Sequence, residues 1–491
     1  MAPRSLVLVT VDCLRADHVG FLGYTKATTP FLDSLAALST VFSNAFVAGA
    51  PTYFSFPAIM ASRYPLALGR DIIGLAPSEP TLASVLRDAG YATAAFVAGN
   101  PYLTRSFGYH AGFDVFRDFL DQETTFAADS SQNGGLRTRW NHKLADVSHQ
   151  LGPLGHVYDE LYFRYCQSKA PASSLDALRR FPAADVIVDH AAAWLAENGS
   201  RPFFLWLHLM DPHSPYYPPA LALELMGNSC SAERARYLNS YWNRGELGVN
   251  SLRQRREQVV ALYDTAIRWV DTQVCRLMQT LNKAGAWDSC VLTLTADHGE
   301  EFLEHGGRYH APCKLSEELI HVPLLVRVSG QNAGVRNPEP TSLLHLAPTL
   351  LEIVGQRVPK AFRGRSCWRQ SRGTDACEAV ISECVAGCTN PLRHQDRLGA
   401  RILAIRESRY KLVLDFSCGS EQLFDLEADP GELSPLPPNA EKTVRRRLLR
   451  QARAHVADSL KLRDVHSRLA SVVRDLRLKL ADSPEKISVS A

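Results

Sequence analysis

Asp12 follows the apolar run Leu6-Val-Leu-Val-Thr-Val11, and Asp297 with His298 closely follows Val291-Leu-Thr-Leu-Thr295. Carboxylates and an imidazole at strand ends are the hard and borderline donors that hold a divalent cation. Open α/β sheets bind ligands beyond the carboxyl ends of their strands, so two such strands would bring these groups to one crevice. Alone, Asp12 reads as a turn or helix cap. Asp297-His298-Gly299-Glu300 points further, because Gly299 permits a sharp turn that exposes both preceding side chains.

Thr52, in Gly49-Ala-Pro-Thr52-Tyr-Phe-Ser55-Phe-Pro57, is expected at or just before the N-cap of a helix running to Ala61. A hydroxyl there sits among unpaired N–H groups at the positive end of the helix dipole, where tetrahedral anions bind. A neighbouring cation would make it a usable nucleophile. On local sequence alone, Thr52 or Ser55 simply caps the helix. His213 follows the run Phe203–Leu209, and His305, His310 and Lys314 follow Asp297 within 17 positions. Such groups could bind anionic oxygens and protonate a leaving alcohol. Each histidine alone is more often structural; their gathering after strand ends changes the weighting. The nucleotide-binding motifs GxxxxGK[ST] and GxGxxG, the zinc-protease motif HExxH and the hydrolase-serine motif GxSxG are absent from the sequence.

The elements that must position these residues are legible as short apolar runs. Leu6–Val11, Tyr91–Val97, Phe203–Leu209, Val291–Thr295 and Val322–Val328 suit strands buried on both faces of a parallel sheet. Helical patterns lie between them at Phe31–Leu38, Thr81–Ala89, Ala184–Glu197 and Val259–Lys283. Alternation of this kind predicts an α/β fold with a large, mostly parallel sheet between helices. Residues 120–180 read as an insertion that could cap a site or be a surface excursion. The catalytic domain is expected over 1–374. Close-spaced strands predict a small antiparallel subdomain over 375–438, and 439–491 reads as a basic helical tail, a solvated amphipathic helix.

Composition bounds the function. The chain has 491 residues, with 54 Lys and Arg against 51 Asp and Glu, and a net charge of +3. That balance excludes a disordered, highly charged chain and gives no reason to expect nucleic acid as a partner. The longest uncharged stretch, Ser34–Ser62, contains Asn44, Gly49, Pro51 and Pro57 and reads as buried or site-forming chain, so no integral membrane segment is expected. The six-residue apolar run near the N-terminus is too short for a signal peptide, and the 11 cysteines form no dense framework. Both point to a cytoplasmic protein with reduced thiols. A zinc site on Cys367, Cys377, Cys384 and Cys388 is disfavoured by its irregular spacing.

The ordered set Val9-Thr-Val-Asp12-Cys-Leu-Arg15-Ala-Asp17-His18-Val-Gly20, Thr29-Pro30-Phe-Leu-Asp33, Phe42-Ser-Asn44-Ala45-Phe46, Asp211-Pro-His213, Thr295-Ala-Asp297-His298-Gly299-Glu300, His321-Val-Pro323 and Gln422–Glu432 resembles the sulfatase family of the alkaline-phosphatase-like superfamily. The likeness runs from about residue 5 to 435. It implies an alkaline-phosphatase-like fold, a metal bound by Asp12, Asp297 and His298 with the nucleophile as a further ligand, and a small anionic ester as substrate. One divalent ion (calcium, manganese or zinc) is expected, and a second is not favoured, since only Asp211, His213, His305 and His310 remain to hold it. Arg15 and Ser55 are expected to bind substrate, with Ser55 also the fallback nucleophile. Family members carry the nucleophile as formylglycine within C/S-x-P-S-R; here the segment reads Thr52-Tyr-Phe-Ser55-Phe56, and threonine cannot become formylglycine. Threonine nucleophiles occur among related phosphodiesterases and phospho-group transferases. The expectation is therefore a metal-dependent hydrolase of sulfate or phosphate esters, with phosphorus ranked slightly ahead. A cytoplasmic transferase and an inactive binding protein are the rivals.

Overall fold

The computed structural model describes residues 4–69, 73–120, 174–331, 333–368 and 379–459. The expected segment 120–180 lies almost wholly outside the described residues, as does the tail beyond 459. The expected runs become strands β1 (Ser5–Val11), β3 (Ala92–Val97), β5 (Phe203–Leu209), β6 (Cys290–Ala296) and β9 (His321–Arg327). Thr40–Phe46 forms β2; Val115–Arg117 (β4), Val335–Asn337 (β10) and Thr341–Ser342 (β11) complete a nine-stranded sheet ordered β10-β2-β9-β6-β1-β5-β3-β4, with β11 also on β2. Every residue of β1, β3, β5 and β6 is buried, which is why their runs lack polar alternation.

β9 departs from the parallel expectation, running antiparallel to both β2 and β6. Its Pro323 has no N–H, and it falls where the β2 register slips between Phe42 and Ala45, so no regular ladder bond is lost on that side. Helices cover the sheet as predicted, with Val249–Lys283 beginning ten residues earlier than the sequence pattern indicates. Glu301–Phe302 (β7) and Arg308–Tyr309 (β8) pair as a short ribbon after Asp297.

The small antiparallel sheet contains β12 (Val380–Val385), β13 (Arg401–Arg406), β14 (Tyr410–Asp415) and β15 (Ser420–Asp425) in sequential order. Residues 439–459 are not a detached tail. Residues 442–459 are helical, and Val444, Leu448 and Ala452 bury themselves among Leu403, Ile405, Leu412 and Leu423. The arginines of that helix face outward, Arg445 pairing with Glu421 and Arg447 with Glu407. β12 also reaches the main domain: Glu383 N–H donates to Ala48 O at 2.9 Å, beside Gly49. A Cβ on Gly49 would lie 2.4 Å from Glu383 O, so only glycine admits this approach just ahead of Thr52.

Candidate active site

The central strands β6, β1, β5 and β3 are adjacent and mutually parallel, and their carboxyl ends deliver the site. β1 ends at Asp12, β6 at Asp297-His298, β5 at Asp211-Pro-His213, and β3 leads to Asn100. Donor atoms of Asp12, Asp297 and His298 lie within 4.8 Å of one another, all three residues being buried. A Cβ on Gly299 would meet Glu318 O at 1.9 Å, so glycine is required for the turn that aims His298 inward. His298 Nδ1–H donates to Gly299 O at 2.8 Å, leaving Nε2 as the inward acceptor.

Thr52 begins the helix Thr52–Ala61, whose N-cap is Pro51 with no side-chain cap bond. Its hydroxyl is therefore not spent on capping; it donates to His298 Nε2 at 3.2 Å. The helix is buried on every face, which fixes its first turn against the sheet. Ser55 Oγ instead donates back to Thr52 O at 3.2 Å inside the protein, so it does not serve as the fallback nucleophile expected from sequence.

Two carboxylates in one buried place are electrostatically divided. Burial opposes the charge of Asp12, but His208, His213 and His298 outweigh it and hold its pKa well below the ordinary range. Burial and the neighbouring Asp12 charge push Asp297 upward. Asp297 Oδ2 is buried without a hydrogen-bond partner among the described residues. An orphaned carboxylate oxygen and a repelled second carboxylate beside an inward imidazole nitrogen fit a divalent cation, which relieves the carboxylate charge. Calcium, manganese and zinc all accept this donor set.

A cavity of about 1260 Å³ opens beside Thr52. It is lined by His213 and His310, by Asn100, and by an aromatic wall that includes Tyr102, Phe119 and Phe181. The two histidines differ in electrostatics. His213 Nδ1–H donates to Ser214 O at 2.6 Å, and burial lowers its pKa below the ordinary value. Burial also opposes the charged form of His310, but the Glu300 carboxylate, 3.0 Å from Nδ1, outweighs it and raises the pKa. One imidazole is thus biased neutral and the other cationic.

Several sequence-predicted residues are not brought to this cavity. His305 Nδ1 pairs with Glu318 at 2.8 Å, and Lys314 Nζ with Glu301 at 2.7 Å, because the β7–β8 ribbon turns them toward those acids. Arg15 is buried and bonded to Asp17, Glu304 and Glu300 O, so its guanidinium is committed within the protein rather than offered to substrate. Asp211 Oδ1 accepts from Ala184 N–H at the start of a helix, and burial pushes its carboxyl up to about 7. Asp211 and His305 are therefore not gathered with His213 and His310; His305 lies instead with Glu301 and Glu318, their donor atoms within 4.8 Å of one another. Sequence reasoning missed Asn100, whose Nδ2 donates to Asp12 Oδ2 at 2.9 Å, and His208, whose Nε2 lies 3.3 Å from the same oxygen. His208 sits inside the apolar run of β5; a lone histidine in a fully buried strand was the available signal.

Comparison with known proteins agrees with this geometry. The sulfatase family model matches residues 4–356, and that for the C-terminal part of N-sulphoglucosamine sulphohydrolase matches residues 307–457. The second match ends inside the helix that packs on the small sheet. The chain is 23% identical to the multifunctional alkaline phosphatase superfamily protein PehA of Trinickia caryophylli, over 89% of this chain and 91% of that one. It is 26% identical to choline-sulfatase of Rhizobium meliloti, over 84% and 78% respectively. The phosphonate monoester hydrolase of Agrobacterium radiobacter shares the fold, with a TM-score of 0.64 and 19% identity over 94% of this chain and 96% of that one. Strand-end acids, an adjoining imidazole and a matched family model spanning the main sheet lead to one conclusion: the chain belongs to the sulfatase family of sulfuric and phosphoric ester hydrolases.

Proposed function

We propose that the protein is a metal-dependent esterase in which the Thr52 hydroxyl attacks phosphorus or sulfur, with phosphate esters ranked ahead of sulfate esters. The observation that carries this reading is Thr52 itself: an uncapped hydroxyl at a helix N-terminus, on the cavity wall, 3.2 Å from His298 Nε2. Asp12, Asp297 and His298 would hold one divalent cation, which supplies Lewis-acid charge to a nearby hydroxyl and to anionic ester oxygens. The N-terminal N–H groups of the Thr52 helix stabilise the charge that develops on the transferred group. The Thr52 hydroxyl, 3.2 Å from the nitrogen that would hold the cation, would give up its proton to solvent beside that charge before its oxygen attacks. His310, biased cationic by Glu300, gives its proton to the leaving alcohol. His213, biased neutral, offers an acceptor nitrogen to the water that later frees Thr52. Asn100 Nδ2 donates to Asp12 Oδ2 and fixes that carboxylate, with His208 Nε2 3.3 Å from the same oxygen.

The relatives support both ester classes: one is named a choline-sulfatase, and a structural neighbour a phosphonate monoester hydrolase. Phosphorus ranks first because Thr52 stands where sulfatases carry formylglycine. The test compares aryl phosphodiester, aryl phosphomonoester and aryl sulfate with calcium, manganese or zinc, using wild type and Thr52→Ala. Phosphorus-ester turnover abolished by Thr52→Ala is expected. Full activity in the variant would overturn the mechanism, and sulfate turnover alone would reverse the ranking.

A further inference from the structure

Cys13 is a buried residue of the site that the mechanism above does not use. It follows Asp12 directly and adopts a left-handed backbone conformation, φ 60°, uncommon for a residue with a side chain. Tyr263 holds that conformation: its hydroxyl donates to Cys13 O at 2.6 Å and accepts from Arg15 N–H at 3.0 Å. The turn carries Sγ to 3.0 Å from Asp12 Oδ1, the same oxygen that lies 3.6 Å from His298 Nε2. Sγ falls within 4.8 Å of donor nitrogens on both His298 and His310, and separately within 4.8 Å of donors on Asp12 and His213. Two donors on one zinc ion, with bonds of about 2.0–2.3 Å, cannot be much further apart than this. The unpartnered, fully buried Asp297 Oδ2 independently points to a ligand in the same place.

From this geometry we infer that Cys13 is a further ligand to the cation held by Asp12, Asp297 and His298, and that its sulfur makes the site select a borderline metal of the zinc class over calcium. The inference rests on the cation site proposed above and adds its metal selectivity. Carboxylate oxygens and one imidazole alone accept calcium, manganese or zinc; a thiolate among them strongly disfavours the hard calcium ion. Binding transfers the Cys13 proton to solvent as the sulfur–metal bond forms, with no change of oxidation state, so metal uptake releases one proton more than in a variant without the thiol.

The experiment uses the full chain, freed of metal with a chelator and reloaded with cobalt(II) as a spectroscopic stand-in for zinc. Metal content is measured beside the absorption spectrum. Wild type is expected to bind cobalt with a thiolate-to-cobalt charge-transfer band in the near ultraviolet. Cys13→Ser is expected to lose the band. Cys13→Asp is expected to lose it too and to lower the zinc-over-calcium preference by about tenfold or more. Wild type alone decides the ligand question, so a variant that fails to fold does not obscure it. Cobalt bound without the band overturns Cys13 ligation and leaves the cation site standing. No cobalt bound at all overturns both.

Discussion

Replacing Glu300 by glutamine removes one charge from the site and almost no volume. Glu300 is fully buried; Oε1 accepts from His310 Nδ1 at 3.0 Å and Oε2 from the Tyr216 hydroxyl at 2.9 Å. Two unit charges about 4 Å apart attract by roughly 4 kcal/mol at an effective dielectric of about 20. Part is recovered, because glutamine keeps an oxygen to accept from Nδ1 and the carboxylates of Asp12 and Asp297 also act on His310. The remaining support is weaker, so the His310 pKa falls, burial now opposing the charged form with less against it. The sign follows from its role. His310 donates a proton only below its pKa, so activity is lost as pH rises through that value. Lowering the pKa moves the basic limb of the kcat/KM profile to lower pH. The assay pairs an alkyl ester, whose alcohol needs the proton, with a nitrophenyl ester of the same acid, which does not. The limb is expected to move for the alkyl ester alone. An unmoved limb in a folded, metal-loaded variant would refute His310 as the acid, as would an equal shift for both esters.

Two further variants separate site from scaffold. Lys314→Ala should leave kcat within about threefold while destabilising the protein by about 1–3 kcal/mol, since buried Glu301 loses its cation; a kcat loss near a hundredfold would return Lys314 to the active site. Leu448→Ala should cost about 2–5 kcal/mol in denaturant unfolding, because Leu448 is fully buried between its helix and the small sheet, whereas a cost under about 0.5 kcal/mol would mean that helix is a detachable tail.

Much of this architecture was legible in the sequence because burial writes itself plainly into strands. Phe203–Leu209 is apolar on both faces since it lies inside the sheet, and its bounds match the structure. That Asp12, Thr52, Asp297 and His298 come together was legible because they stand at strand and helix ends that meet at one edge of the sheet. Arg15, His305 and Lys314 were misplaced for one reason: sequence proximity to the site does not reveal where a charge finds its partner. Asp17, Glu318 and Glu301 are close in sequence to these cations, yet which acid each cation finds emerges only on folding. β2 carries Ser43 and Asn44 at its bulge, which broke the apolar run and hid the strand. The buried face of the 442–459 helix comprises Val444, Leu448 and Ala452, spaced by four and masked by the arginines between them.

The central claim is a covalent bond to Thr52 during turnover. The direct measurement is mass spectrometry of peptides from metal-loaded enzyme, acid-quenched in the steady state with an aryl phosphodiester and, separately, an aryl sulfate. Threonine chemistry predicts a transferred phosphorus or sulfur group on the Thr52 hydroxyl, absent before substrate is added and absent in Thr52→Ala. An adduct on another residue such as Ser55, or turnover by Thr52→Ala at the wild-type rate with no adduct anywhere, would contradict it.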